Sequence, residues 1–322
     1  MEDSVTDIQP QSADGIPSSL FITGATGFVG TGIMRALGRG HGQAPSGPFA
    51  SMDIRSLIRK PGDSPAGVEP IIGDVTDPET LRGKMDGIDT VIHLVGIIEE
   101  QGDASFDAII RQGTENVVRE AGRAGVRHFI LMSALGAHDN PAYPYHQAKF
   151  RAEQAVKASG LSYTIFRPSV IFGKGDGFIT VLAGLVRSFP VIPVVGSGES
   201  KFQPVQLDDV GSAFAYAVAH PSEAKDQTYE LGGAKPYTYE EMLDVIAAEL
   251  GKKKPKVHVP LGLMKPVVRM SKPLPKALRP PVTMEQLKML GLDNSTEDSA
   301  TERLIGRNPV ALEDGIGYIR NI

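Results

Sequence analysis

A chain of 322 residues with 41% hydrophobic side chains is long enough to bury a full core, as one large α/β unit or a unit carrying a smaller lobe. The net charge of −5 argues against bulk attraction to nucleic acid, and the absence of cysteine excludes disulfides and thiolate metal sites. The seven histidines are scattered, with no pair at His-Glu-x-x-His spacing, so no metal centre is expected.

Residues 1–18 are polar and read as a mobile tail. Their acids, Glu2, Asp3, Asp7 and Asp14, precede the first basic residue, Arg35. That order fits neither a secretory nor a mitochondrial leader, and a cytoplasmic location is expected, with a peripheral contact at the inner membrane left open. Leu20 to Ile22 is a short apolar strand running into glycines, and Phe28, Val29, Ile33, Met34 and Leu37 then recur at helical spacing. Further strands are predicted at Ile54–Ile58, Val68–Ile72, Thr90–Leu94, Phe129–Met132 and Leu161–Phe166, with the clearest helices at 105–124 and 146–159. Strands alternating with helices predict a parallel sheet covered on both faces. Beyond Gly177, a helix is expected at 178–189, core strands at Gln203–Val210 and Thr228–Leu231, and an amphipathic helix at 239–250. The predicted fold class is α/β, a Rossmann-type doubly wound parallel sheet with a smaller C-terminal substrate lobe. The core would take residues 19–176 with later strands from about 203–232, and the lobe 177–202 and 233–322.

Gly24-Ala25-Thr26-Gly27-Phe28-Val29-Gly30 directly follows the first strand. Gly24 permits the tight turn, Gly27 lets backbone N–H groups approach a pyrophosphate, and Gly30 lets the helix pack closely on the sheet. The helix start then offers free donors and a positive dipole end to the anion. A nicotinamide dinucleotide is the expected ligand.

This Gly-x-x-Gly-x-x-Gly spacing resembles that of the extended and atypical short-chain dehydrogenase/reductases. The resemblance continues in Gly73-Asp74-Val75, His93-Leu94-Val95-Gly96, Arg167-Pro168-Ser169-Val170-Ile171-Phe172-Gly173 and Gln206-Leu207-Asp208-Asp209-Val210. It implies that Asp74 and Val75 lie beside the adenine, that Leu94, Val95 and Gly96 lie near the cofactor ribose, and that Pro168 and Val170 border the nicotinamide. Thr26, Phe28 and Val29 belong to the phosphate loop.

The second strand ends Leu57-Ile58-Arg59-Lys60, where an NAD site usually carries an acid for the ribose 2′-OH. Asp53 is at the wrong end of that strand. Arg59 can pair with a 2′-phosphate, so NADP(H) is favoured over NAD(H); a solvated charge pair is the plainer alternative.

Tyr145-His146-Gln147-Ala148-Lys149 puts Tyr145 and Lys149 on one helix face. A nearby ammonium would lower the tyrosine pKa from about 10, tuning it to exchange a proton with a carbonyl or carbinol oxygen. The family resemblance implies this catalytic use, with Lys149 also holding the ribose. Two departures weaken it. Ala134 takes the usual place of the family's serine, with Ser133 one residue early, and the asparagine expected before Gly113-Thr114 is missing.

A Tyr-Lys pair without the rest of the tetrad, with Arg151-Ala152-Glu153 and Phe172-Gly173-Lys174-Gly175-Asp176-Gly177-Phe178, is similar to one atypical subgroup. That subgroup contains the accessory subunit of respiratory complex I and its bacterial relatives, and implies NADPH held without turnover. Three readings follow: an oxidoreductase acting on a small carbonyl or alcohol substrate, a cofactor-holding structural or sensing protein, and a nucleotide-sugar epimerase or dehydratase. Residues 251–282 are rich in lysine, arginine and proline and lack acids. They read as a cover for the substrate cleft, or as a contact for anionic lipid or an acidic protein partner.

Overall fold

The computed structural model describes residues 15–39, 44–62, 65, 67–260, 262 and 290–322. The apolar runs named above become strands β1 (Ser19–Thr23), β2 (Asp53–Ile58), β3 (Glu69–Ile72), β4 (Thr90–His93), β5 (His128–Met132) and β6 (Ser162–Pro168). With β11 (Gln227–Leu231) they form a seven-stranded sheet in the order β11-β6-β5-β4-β1-β2-β3, and every pairing in it is parallel. The order reverses at β1, which is flanked by β2 through Leu20↔Ile54 and by β4 through Leu20↔Thr90. The crevice at the carboxyl ends of β1 and β4 is the place where open α/β sheets bind ligands.

Helix α1 (Phe28–Ala36) leaves β1; α2 (Pro78–Leu81) follows β3, α3 (Gly113–Ala124) follows β4, and α4 (Pro144–Lys157) follows β5. Apolar residues cover both faces of the sheet. Leu20, Ile22, Ile92, Ile130 and Phe166 pack with α1 and α6 (Leu207–Ala219), whereas Phe21, Val91, Phe129 and Ile165 pack with α3. A separate apolar cluster joins α5 (Ile179–Ser188) to α8 (Tyr239–Glu249), with Leu182, Val186, Met242 and Ile246 at its centre. Around it lie short strands absent from the sequence reading: β8 (Ile192–Val195) pairs with β13 (Lys256–Val259), and β9 (Lys201–Phe202) with β12 (Tyr237–Thr238).

Three expectations need correction. Gln203–Val210 is not a core strand. Only β10 (Val205–Gln206) pairs, with β7 (Ile171–Phe172), and α6 begins at Leu207. The Gln206 side chain accepts from Asp208 N and two acids occupy the first turn, so the local chemistry is that of a helix start. The helix expected over 105–124 opens as a π-helical segment, Asp107–Gln112. The end of the supposed tail is tied down, since Ser18 N and Oγ donate to Asp89 at 2.8 and 2.6 Å.

Residues 1–14 of that tail, and most of the basic stretch 251–282, lie outside the described residues. Within the described part, Lys254 Nζ donates to the carbonyls of Val186, Arg187 and Phe189, closing the end of α5, and Lys256 pairs with Glu240 and Asp244. These two lysines serve the fold. Among the described residues no helix is long and apolar enough to cross a membrane.

Candidate active site

The phosphate loop is built by close approach. Gly24 turns the chain at φ +80, Gly27 N donates to Gly24 O at 3.1 Å, and a Cβ on Gly30 would meet Gly24 O at 2.2 Å. Gly27 caps α1 with extended backbone, no side-chain cap and no acid in the first turn. Helix α8, by contrast, has a full Thr238–Glu241 capping box. The first turn of α1 therefore keeps its donors and its positive end for an anion, which fits a cofactor pyrophosphate. Thr26 and Gly27 are exposed and Phe28 and Val29 half-buried at this mouth.

The neighbouring loops are fixed around it. A Cβ on Gly24 would lie 3.3 Å from Leu94 Cβ, so Leu94-Val95-Gly96 leaves β4 directly beside the glycine turn. His93 bridges Thr23 (2.7 Å to Nδ1) and Thr114 (3.1 Å to Nε2). The Thr114 hydroxyl donates to Ile110 O, so it accepts from the imidazole, and Nδ1 in turn accepts from Thr23. Burial, with the Lys149 ammonium adding to it, pushes His93 down to about 3 and keeps it neutral. The Asp74 carboxylate accepts from Thr76 N and Oγ1, and buried Val75 takes Asn116 Nδ2 on its carbonyl. Arg59 is exposed just past the end of β2, and the register Thr23↔Leu57 sets it next to the β1 turn.

Tyr145 and Lys149 lie on α4, whose first turn holds Pro144. Lys149 is 3% exposed; its Nζ donates to Met132 O at 2.9 Å and lies 3.3 Å from where a Cβ on Gly96 would be. Tyr145 packs edge-on against Phe106 and His146 at centroid distances of 5.6 and 5.4 Å. Burial pushes Tyr145 up to about 12, and burial pushes Lys149 down to about 8 against the opposing pull of Glu153. The expectation that the ammonium lowers the tyrosine is thus corrected. Lys149 gives one of its three N–H donors to the Met132 carbonyl, and desolvation dominates at the phenol.

Ser133, also named from sequence, is turned away. It is 2% exposed and its Oγ donates to Glu153 Oε1 at 2.5 Å, while Ala134 fills the position beside it. Glu153, wholly buried, also accepts from Arg167 Nε and Nη2 at 2.8 and 2.6 Å. The sequence reading gave Glu153 no role, although it sits four residues past Lys149 on the same helix face. Pro168 is buried with its carbonyl accepting from Leu135 N, and Val170 N donates to Asn294 Oδ1.

Against this geometry, the comparisons with known proteins converge. The NAD(P)H-binding family model matches residues 24–184, and the RmlD substrate binding domain model matches 135–296. The chain belongs to the NAD(P)H-binding proteins of the atypical extended short-chain dehydrogenase/reductase family. It is similar to the mitochondrial NADH dehydrogenase ubiquinone 1 alpha subcomplex subunit 9 of Arabidopsis thaliana, 30% identical over 239 residues, 73% of this chain and 58% of the relative. The match therefore spans less than two thirds of that protein. It is also similar to a 3 beta-hydroxysteroid dehydrogenase/Delta 5→4-isomerase of Mycobacterium tuberculosis, 29% identical over 280 residues, 74% of this chain and 71% of the relative. Among solved structures, Citrobacter sp. triphenylmethane reductase complexed with NADP(H) superposes with a TM-score of 0.73 at 20% identity, covering 94% of this chain and 99% of that one, which shows a shared fold.

Proposed function

We propose that this chain is an NADP(H)-dependent oxidoreductase acting on a carbonyl or alcohol substrate, with Tyr145 as proton donor and Lys149 as the ribose-holding residue. The observation that carries the reading is the half-buried Tyr145 and the buried Lys149 on one helix face, with Lys149 against the Gly96 loop that leaves β4 beside the phosphate turn. Backbone from Gly24 to Gly30, with Thr26, Phe28 and Val29, would hold the pyrophosphate. Asp74 and Val75 would take the adenine side, Leu94, Val95 and Gly96 the ribose, and Pro168 and Val170 the nicotinamide. When bound, that ring supplies or accepts a hydride. Arg59, exposed at the end of a strand that carries no acid there, supports NADP(H) over NAD(H).

A second reading is favoured by one observation. Ser133 is committed to Glu153 and Ala134 stands where a family serine would polarise the substrate, so the site holds a cofactor with reduced means of turnover. The similarity to the plant complex I subunit agrees with that reading. The withdrawn serine weighs equally against sugar epimerase or dehydratase chemistry. Native mass spectrometry of the purified chain, followed by NADPH oxidation across a panel of carbonyl compounds, separates the two. Bound NADPH with turnover supports the oxidoreductase, bound NADPH inert to every carbonyl supports the holding protein, and no affinity for either dinucleotide refutes both.

A further inference from the structure

Glu153 is buried on α4 one turn beyond Lys149, yet neither cofactor binding nor proton transfer as described above uses it. A buried carboxylate is costly unless it is paired, and apolar side chains would serve the fold alone as well. Here it gathers three hydrogen bonds from two partners. Oε1 accepts from Ser133 Oγ at 2.5 Å and from Arg167 Nε at 2.8 Å, and Oε2 accepts from Arg167 Nη2 at 2.6 Å. Ser133 adjoins Met132, whose carbonyl accepts from Lys149 Nζ at 2.9 Å. Arg167 stands on β6, so one carboxylate ties α4 to the ends of two strands beside the lysine.

We propose that Glu153 is a positioning residue for the candidate active site: it fixes the Met132 carbonyl on which Lys149 rests, and it supplies the counter-charge that keeps Lys149 an ammonium able to donate to a cofactor ribose. The proposal rests on the cofactor reading above. The other groups facing Lys149 cannot supply this charge. His93 from β4 is neutral, Tyr145 on the same helix holds its proton, and Arg167 from β6 is a like charge. The π-helical segment presents Ile110 to this region, while its Arg111 is paired with Asp107 and Glu115. Glu230 on β11 lies 3.8 Å from Arg167. Burial draws the ammonium down to about 8 and Glu153 opposes that pull.

The test is the pH dependence of NADPH affinity, read by titrating the full chain with NADPH between about pH 6 and pH 9.5. In the wild type, affinity is steady and then weakens above a breakpoint near 8. In Glu153→Gln the breakpoint drops by about one pH unit or more, so affinity is lost several-fold near neutrality and regained in acid. In Arg167→Gln a like charge and a competitor for Glu153 are both gone, so the breakpoint rises. These opposed movements support the proposal. A loss uniform in pH, a fixed breakpoint, or both variants moving the same way overturns it. If Glu153→Gln does not fold, Arg167→Gln decides alone, upward in support and unmoved against. A wild-type chain that binds no NADPH overturns the cofactor reading and this proposal with it; binding with unmoved breakpoints overturns only the role of Glu153.

Discussion

Burial drives Tyr145 and Lys149 toward their neutral forms, and this gives the site a direction. Pushed up to about 12, Tyr145 keeps its proton throughout the physiological range, the state that the proposed donor role in carbonyl reduction requires. Alcohol oxidation requires the phenolate, whose fraction grows about tenfold per pH unit below that pKa. Turnover with saturating NADPH should therefore be flat in pH from about 6 to 8, whereas the reverse rate with NADP should climb steadily into alkali. Steady-state rates in both directions check this, and a reverse rate already at its plateau by neutral pH would show a tyrosine tuned far lower. Tyr145→Phe should leave NADPH affinity intact and depress turnover at least about a hundredfold by loss of the donor. The proposed cofactor choice rests on Arg59. Arg59→Ala should weaken NADP(H) by about 1.5–3 kcal/mol, as for a hydrogen bond to a charged group, and leave NAD(H) nearly unchanged. Equal losses for the two dinucleotides, measured by titration, would remove Arg59 from the 2′-phosphate.

At the scale of elements, the phosphate loop depends on a helix crossing. Helix α1, which carries Phe28 to Gly30, passes α6 so closely that a Cβ on Gly211 would sit 2.6 Å from Gly32 O, and one on Gly32 would sit 2.7 Å from Leu207 Cδ1. Gly211→Ala should lower stability by about 1–3 kcal/mol, the usual cost of overpacking, and weaken NADPH by shifting the head of α1. An unchanged melting temperature would mean that the two helices can part at no cost. The sheet strands and α1, α4 and α8 were legible because apolar period and turn residues agree there. Helix α6 was not: Val205, Leu207 and Val210 suggest a strand, and the decisive signals were the Gln206 cap with Asp208 and Asp209 behind it. The site was legible to the extent that it lies in consecutive residues. Gly24 to Gly30 and the Tyr145–Lys149 spacing could be read directly. The direction of the Ser133 hydroxyl, the Glu153–Arg167 pair and the π-helical turn before Gly113 depend on contacts between distant segments, which one sequence does not display.

For the molecule as a whole, three buried histidines make folding sensitive to acid. His93 is pushed down to about 3, and His128 and His146 to about 4, each chiefly by burial. Hydrogen bonding explains why the fold cannot accommodate the charge. Thr164 gives its proton to Ala224 O, so it must accept from His128 Nε2, and a second proton would enter at a buried Nδ1 that has no partner among the described residues. His146 Nδ1 is likewise buried and without a partner among the described residues, and in His93 a new proton on Nδ1 would displace the bond from Thr23. Because these pKa values are lowered in the folded chain, the unfolded chain binds more protons below about 6.5. The stabilisation is complete above that pH and is lost as pH falls toward 4 for His128 and His146, and toward 3 for His93. At pH 5 the loss is about 2 kcal/mol each for His93 and His128, and less for His146, whose ring adjoins the half-buried His138. Their sum is a large part of an ordinary folding free energy of about 5–15 kcal/mol. Urea unfolding midpoints should hold steady from pH 8 to 7 and then drop continuously to pH 5, above the interval from about 4.5 down to about 2 in which the stabilisation from a held-down carboxylate such as Glu313 is lost. His128→Gln keeps an N–H donor for Thr164 without a titrating ring, so its midpoint should fall less steeply over the same interval. A midpoint flat from pH 7 to 5, or a slope that His128→Gln leaves unchanged, would show that these histidines are not what acid attacks.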